Sequence, residues 1–198
     1  GLKYKKVWRT LFVITIAVPQ FVSLLLMRNF LNDNGPLNGL LQSLHLIQHP
    51  IPFLSDPVWA KFSIILVNMW IGIPFTMLVA TGIIMNLPSE QIEAAEIDGA
   101  SKLQIFKSIT FPQILLIMAP SLIQQFIGNI NNFNVIYFLT GGGPTNSSYY
   151  QAGSTDLLVT WLYKLTVSAK DYNLASVIGI LIFAISAAFS LLAYTRSA

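Results

Sequence analysis

Two sets of side chains in this sequence have both the type and the spacing to hold a small molecule. Gln125, Asn129 and Asn132 stand at i, i+4 and i+7, and so do Asn68, Gly72 and Phe75, which aligns each set on one helical face. Carboxamides offer hydrogen-bond donors and acceptors without charge, and an aromatic ring adds an apolar face. A neutral, hydroxyl-rich solute such as a sugar fits that chemistry, with its ring face against Phe75 and its hydroxyls against the amides. The second stretch is richer still in amides, with Gln124, Gln125, Asn129, Asn131, Asn132 and Asn134 close together. The same residue types also link neighbouring helices by hydrogen bonds, and the sequence leaves the two uses open.

The charged residues exclude other chemistries. The acids Asp33, Asp56, Glu90, Glu93, Glu96, Asp98, Asp156 and Asp171 all lie outside the long apolar stretches or at their ends, as do the basic residues. Ionisable groups at mid-membrane mark ion and proton pathways, so their absence argues against a secondary transporter or channel and requires energy to enter from elsewhere. A membrane-embedded enzyme would need a nucleophile, an acid–base pair or a metal cluster at depth, and the apolar stretches offer no such pair. With no Cys and only His45 and His49, neither a disulfide, a thiolate metal site nor an all-protein zinc site is expected, and no cofactor is implied. The eleven Lys and Arg form no basic stripe, which excludes a nucleic-acid partner.

The elements that must carry these residues are membrane helices. Of the 198 residues 54% are hydrophobic and 10% charged, with a mean hydropathy of +0.64, whereas soluble domains carry about 25% charged residues. A crossing helix needs roughly 20 mostly apolar residues, and four stretches supply them, at about 7–27, 59–86, 106–139 and 173–195. The expected fold is therefore an all-α polytopic bundle. Lys3, Lys5, Lys6, Arg9, Lys102, Lys107 and Arg196 fall on one side of it, against Arg28, Lys61, Lys164 and Lys170 on the other. The positive-inside rule then makes the loop at 87–105, and both ends of the chain, cytoplasmic. Pro19, Pro74, Pro112 and Pro120 fall within or at the edges of the spans, where each removes a backbone donor and loosens the helix.

The loop at 87–105 has its own structure. Acids near Glu90 favour a helix start, Gly99 suits a left-handed C-terminal cap, and Ser101 and Gln104 stand at capping-box spacing. The segment predicts a short acidic helix rich in small residues, which either is a solvated connection or enters a cleft on another protein. The connection at 28–57 is rich in Asn, Gly and Pro, and the one at 140–172 opens with Gly141-Gly142-Gly143-Pro144, which cannot continue a helix.

Glu93-Ala94-Ala95, then Asp98-Gly99-Ala100, Phe106, Ile109 and Pro112 at their spacing resemble the EAA loop of binding-protein-dependent ABC transporter permeases. Asn68-Met69-Trp70-Ile71-Gly72-Ile73-Pro74-Phe75, Asn131-Asn132-Phe133-Asn134, Thr140 to Pro144, and Thr155-Asp156-Leu157-Leu158-Val159 with Tyr163 resemble the carbohydrate-uptake subfamily, in particular its maltose-type first permease subunit. The resemblance covers essentially the whole chain and implies the core of a type I importer, inserted in a bacterial inner membrane and non-catalytic itself. It implies that Glu93, Ala94, Ala95, Asp98, Gly99 and Ala100 dock on a cytoplasmic ATP-binding subunit, present as a dimer. The further partners implied are a second permease subunit, an extracytoplasmic solute-binding protein, a maltodextrin-like sugar and membrane lipid. Sugar contacts carry over to Asn68, Gly72, Phe75, Asn129 and Asn132, with Gln125 added by the amide stripe. Relatives carry further spans before the position of Lys3, so the chain corresponds to the C-terminal part of a single, longer transmembrane domain.

Overall fold

Pro and Asn divide the apolar stretches into more helices than hydropathy alone predicts. The computed structural model describes residues 5–197. They form α1 (Lys5–Ala17), α2 (Gln20–Phe30), α3 (Pro36–Ser43), α4 (Pro57–Met85), α5 (Ser89–Ile97), α6 (Lys102–Ile105), α7 (Phe111–Ile130), α8 (Phe133–Leu139), α9 (Leu158–Lys164) and α10 (Tyr172–Ser197). Among the described residues the only β pairing is an isolated bridge between Thr145 and Gly153. The all-α reading holds. Lys3, used above to orient the chain, lies outside the described residues.

Three helices are long and apolar enough to cross a membrane: Pro57–Met85, the continuous rod Lys102–Ile130, and Tyr172–Ala193. The first and last match the stretches expected at 59–86 and 173–195 within a few residues. The stretch expected at 7–27 is instead two helices. Pro19 takes φ −53° and ψ 132° and cannot donate, so α1 stops before it and α2 starts after it, with Val22 and Ser23 donating back to the Pro19 carbonyl. The stretch expected at 106–139 is also divided. It stops at Ile130, and Asn132 Oδ1 accepts from Val135 N at 3.3 Å to start α8 afresh, because an Asn side chain can replace the ladder partner of the backbone.

Pro112 is accommodated differently. The turn Phe106–Thr110 is π-helical, with the Phe111 N–H donating to the Phe106 carbonyl, so α6 and α7 remain one rod across the site where the proline lacks a donor.

Packing organises the rest around two small cores. Leu24, Val67, Val135 and Leu139 join α2, α4 and α8, and Leu165, Ala175 and Ile178 join the α9 region to α10. Most of the remaining apolar side chains on the long helices stay exposed, as helices that face lipid or further membrane subunits require. The loop after α8 is locked by a buried ion pair: Lys164 Nζ lies 2.6 Å from Asp156 Oδ2, and the Asp156 side chain is 2% exposed. Gly153 N donates to the same oxygen at 2.6 Å.

Gly142 sits over that pair at φ +81°, and a Cβ there would lie 1.9 Å from Asp156 Oδ1. Gly142→Ala is therefore expected to destabilise the fold by about 2–4 kcal/mol, from left-handed strain plus overpacking of the ion pair. Thermal unfolding of the detergent-solubilised protein checks this, with an unchanged midpoint as the contrary result.

Candidate functional site

The two polar stripes meet across the α4–α7 contact. The helices run antiparallel, so positions rising along α4 pair with positions falling along α7: Asn68 with Asn129, and Thr76 with Gln125. Asn68 Nδ2 donates to Asn129 Oδ1 at 2.8 Å, and Asn132 Nδ2 donates to Asn68 Oδ1 at 3.0 Å. Thr76 Oγ1 donates to Gln125 Oε1 at 2.9 Å, while Asn129 Nδ2 turns back to the Gln125 carbonyl at 2.9 Å. Outside this ladder Asn131 donates to Ser186 Oγ on α10 at 3.0 Å, and Asn134 to Gln20 Oε1 on α2 at 3.4 Å. The amides therefore do link helices, the second of the two uses left open by the sequence.

They also line a groove. Asn68, Met69, Gly72, Ile73, Thr76, Met77, Ala80, Gln125 and Asn129 surround a cleft of about 470 Å³, within the size range of small-molecule sites. The Gln125 Nε2 is buried there without a hydrogen-bond partner, an unspent donor beside otherwise paired amides. At 1.5 Å rise per residue, Asn68 to Thr76 lie roughly 17–29 Å along the ~43 Å length of α4, near the middle of the crossing.

Two expected members sit apart from this groove. Phe75 lines a second cleft of about 330 Å³ with Ile16, Val18, Pro19, Gln20, Ser23, Trp70 and Ile71. Gly72 and Phe75 are three residues apart and so point about 60° apart around α4, and α7 lines the cleft at Gly72 while α1 and α2 line the cleft at Phe75, so the two open into different spaces. Asn132 lies beyond the end of α7, where it caps α8 as well as bonding Asn68. The sequence reasoning missed Thr76, which lies one turn beyond Gly72 on the same face as Asn68, and Gln20, which no spacing rule could find because another helix supplies it.

The loop after α4 folds as its local signals dictate. Helix α5 spans Ser89–Ile97 with Glu90 in its first turn. Gly99 takes φ +77°, Gly99 N donates to the Glu96 carbonyl at 3.1 Å and Ala100 N to the Ala95 carbonyl at 2.9 Å, which together make a Schellman cap. Ser101 N donates to Gln104 Oε1 at 2.8 Å and Gln104 N to Ser101 Oγ at 3.4 Å, the reciprocal capping box that starts α6. None of the α5 side chains is buried. Glu93, Ala94, Asp98 and Gly99 are exposed, and Ala95 and Ala100 are half-buried. Ile97, which the sequence reading passed over, is 86% exposed, an apolar side chain at the end of an acidic helix.

Comparison with known proteins gives a consistent family. Residues 1–197 match the model of the family described as binding-protein-dependent transport system inner membrane component. The chain is 40% identical to the galactooligosaccharides transport system permease protein GanP of Bacillus subtilis (strain 168), over 99% of this chain and 47% of that protein. It is 38% identical to the maltodextrin transport system permease protein MdxF of the same strain, over 99% of this chain and 46% of that one. The chain thus spans about half the length of the curated relatives it matches. A crystal structure of a bacterial alginate ABC transporter, in complex with alginate pentasaccharide-bound periplasmic protein, superposes with a TM-score of 0.83 at 25% identity, covering 98% of this chain and 65% of that one.

The amide ladder makes its own prediction. Asn68→Leu strands the acceptor of Asn129 and the donor of Asn132, and is expected to lower stability by about 1 kcal/mol, the scale of interhelical hydrogen bonds in membranes. Thermal unfolding in detergent measures it, and a midpoint equal to the parent would contradict the ladder.

Proposed function

Because this chain belongs to the family of binding-protein-dependent transport system inner membrane components, we propose that it forms part of the sugar pathway of an ATP-driven importer and couples to a cytoplasmic ATPase through α5. The observation that carries this reading is α5 itself. It is a short acidic helix, with the small residues Ala94 and Ala95 near its middle, joining two membrane-length helices, stopped by a glycine at φ +77°, with no side chain buried in its own chain. Small residues at the exposed Ala94 and the half-buried Ala95 let such a helix sit deep in a cleft of another protein, and Ile97 offers an apolar anchor at its end.

In this reading a dimer of ATP-binding subunits holds α5 on the cytoplasmic side. ATP-driven closure of the dimer carries α5 with it, and α4 and α7 move relative to a second permease subunit so that the solute site opens outward. Hydrolysis returns it inward. A solute-binding protein delivers the sugar from outside, and this chain contributes no group to ATP chemistry. The substrate class follows from the uncharged lining. Gln125 Nε2, Asn129, Asn68 and Thr76 offer neutral donors and acceptors in one groove, and Trp70 and Phe75 offer ring faces in the next. The names of the relatives support an oligosaccharide of the maltodextrin or galactooligosaccharide kind.

The test is reconstitution of the full-length permease with its partner permease and ATPase in vesicles, measuring ATP-dependent maltodextrin uptake. Gly99→Val forces a β-branched residue to positive φ and is expected to abolish co-purification of the ATPase and reduce uptake by at least about tenfold, an interface worth more than about 1.4 kcal/mol. Retained association with normal uptake would refute the docking role of α5. Asn129→Ala is expected to raise the half-saturating sugar concentration about fivefold while the complex still assembles, the scale of one or two ligand hydrogen bonds. Unchanged saturation would remove the groove from the sugar path.

A further inference from the structure

Helix α5 is joined to α7 by two routes. The covalent route runs through the left-handed Gly99, the capping box at Ser101 and the π-helical turn Phe106–Thr110. Each of these is a soft point: glycine at a cap carries no side chain to brace it, and a π turn has a register that can pass into an α turn. The second route is a side-chain bridge, in which Gln113 Nε2 donates to Gln91 Oε1. Gln91 lies in the first half of α5 and Gln113 in the first turn of α7, three residues beyond the π turn. The bridge thus spans the entire soft segment.

We propose that Gln91 and Gln113 are positioning residues that clasp α5 to α7, so that a push on α5 moves α7 and its polar face as one body. This rests on the reading of α5 as the ATPase-coupling helix. Since α5 buries none of its own side chains, little else in this chain holds it against α7. Gln125 and Asn129 lie 12 and 16 residues further along α7 than Gln113, so a rigid α7 delivers the displacement to the polar groove roughly 18–24 Å away. Without the clasp, the Gly99 cap and the π turn absorb part of the movement.

The chain contains no cysteine, so paired nitroxide labels can be introduced at Glu90 and Leu116, both exposed, in the full-length permease assembled with its partner permease and ATPase. Distance distributions between the labels are recorded without nucleotide and with trapped ATP. With both glutamines present, the distribution is expected to stay narrow and unshifted between the two states. Gln113→Ala is expected to broaden or shift it in the ATP state and to lower the sugar transported per ATP hydrolysed by about two- to tenfold, the population change one hydrogen bond supports. A double-mutant cycle with Gln91→Ala should be non-additive, and Gln91→Leu with Gln113→Leu, which replaces the bridge by apolar contact, should restore the narrow distribution. Identical distributions in parent and Gln113→Ala, or a parallel fall in ATPase and uptake at constant transport per ATP, would overturn the clasp. Absence of ATP-dependent uptake by the parent would instead strike the sugar-import reading, leaving the label distances to decide the clasp on their own.

Discussion

A backbone amide in hydrocarbon has no water to turn to, and the breaks and register shifts within the apolar stretches of this chain follow that constraint. Pro19 removes a donor and the chain breaks there, with the following turn re-anchored on the Pro19 carbonyl. Pro112 removes another, but the π turn before it shifts the hydrogen-bond register and the rod stays whole. At Asn131 and Asn132 the side chains replace the lost ladder, one donating to the Ile127 carbonyl and the other capping α8. The irregular segments at 31–56 and 140–157, outside the crossing helices, are held by side-chain-to-backbone bonds of their own. Asn38 alone bonds the carbonyls of Asp33 and Ile51 and the amide of Ile51.

The amides between α4 and α7 hold the two helices together. Asn68, Asn129 and Asn132 satisfy one another and fix the antiparallel register of the two helices, while Gln125 keeps a buried donor unpaired. A ladder that is nearly but not wholly satisfied holds its helices together and leaves one buried donor open towards the groove.

Helix α5 shows the opposite economy. It is specified almost wholly by its own ends, a Schellman cap at Gly99 and a capping box immediately after it, and draws almost nothing from packing. A helix of about two turns is marginal by itself, so strong termination signals and the Gln91–Gln113 bridge take the place of a buried face. That leaves its surface free for the proposed docking.

What the sequence determined by itself was whatever depends on neighbours within a turn or two. The hydropathy of α4 and α10, the left-handed Gly99, the capping box at Ser101 and Gln104, and the alignment of Asn68 with Gly72 and of Gln125 with Asn129 are local patterns, and they read directly from residue order. The tertiary structure decided which partner each of several equivalent groups would choose. Helical spacing puts Asn129 and Asn131 on different faces, but nothing in the order of residues says that the first meets α4 and the second α10. Phe75 shares a spacing rule with Gly72 yet opens into another cleft, because α7 lines the cleft at Gly72 and α1 and α2 the cleft at Phe75. The division after Ile130, the Asp156–Lys164 pair beneath Gly142 and the Gln91–Gln113 bridge have the same origin: each is a choice among contacts that are distant in sequence or close in energy, and only the packing of whole helices separates them.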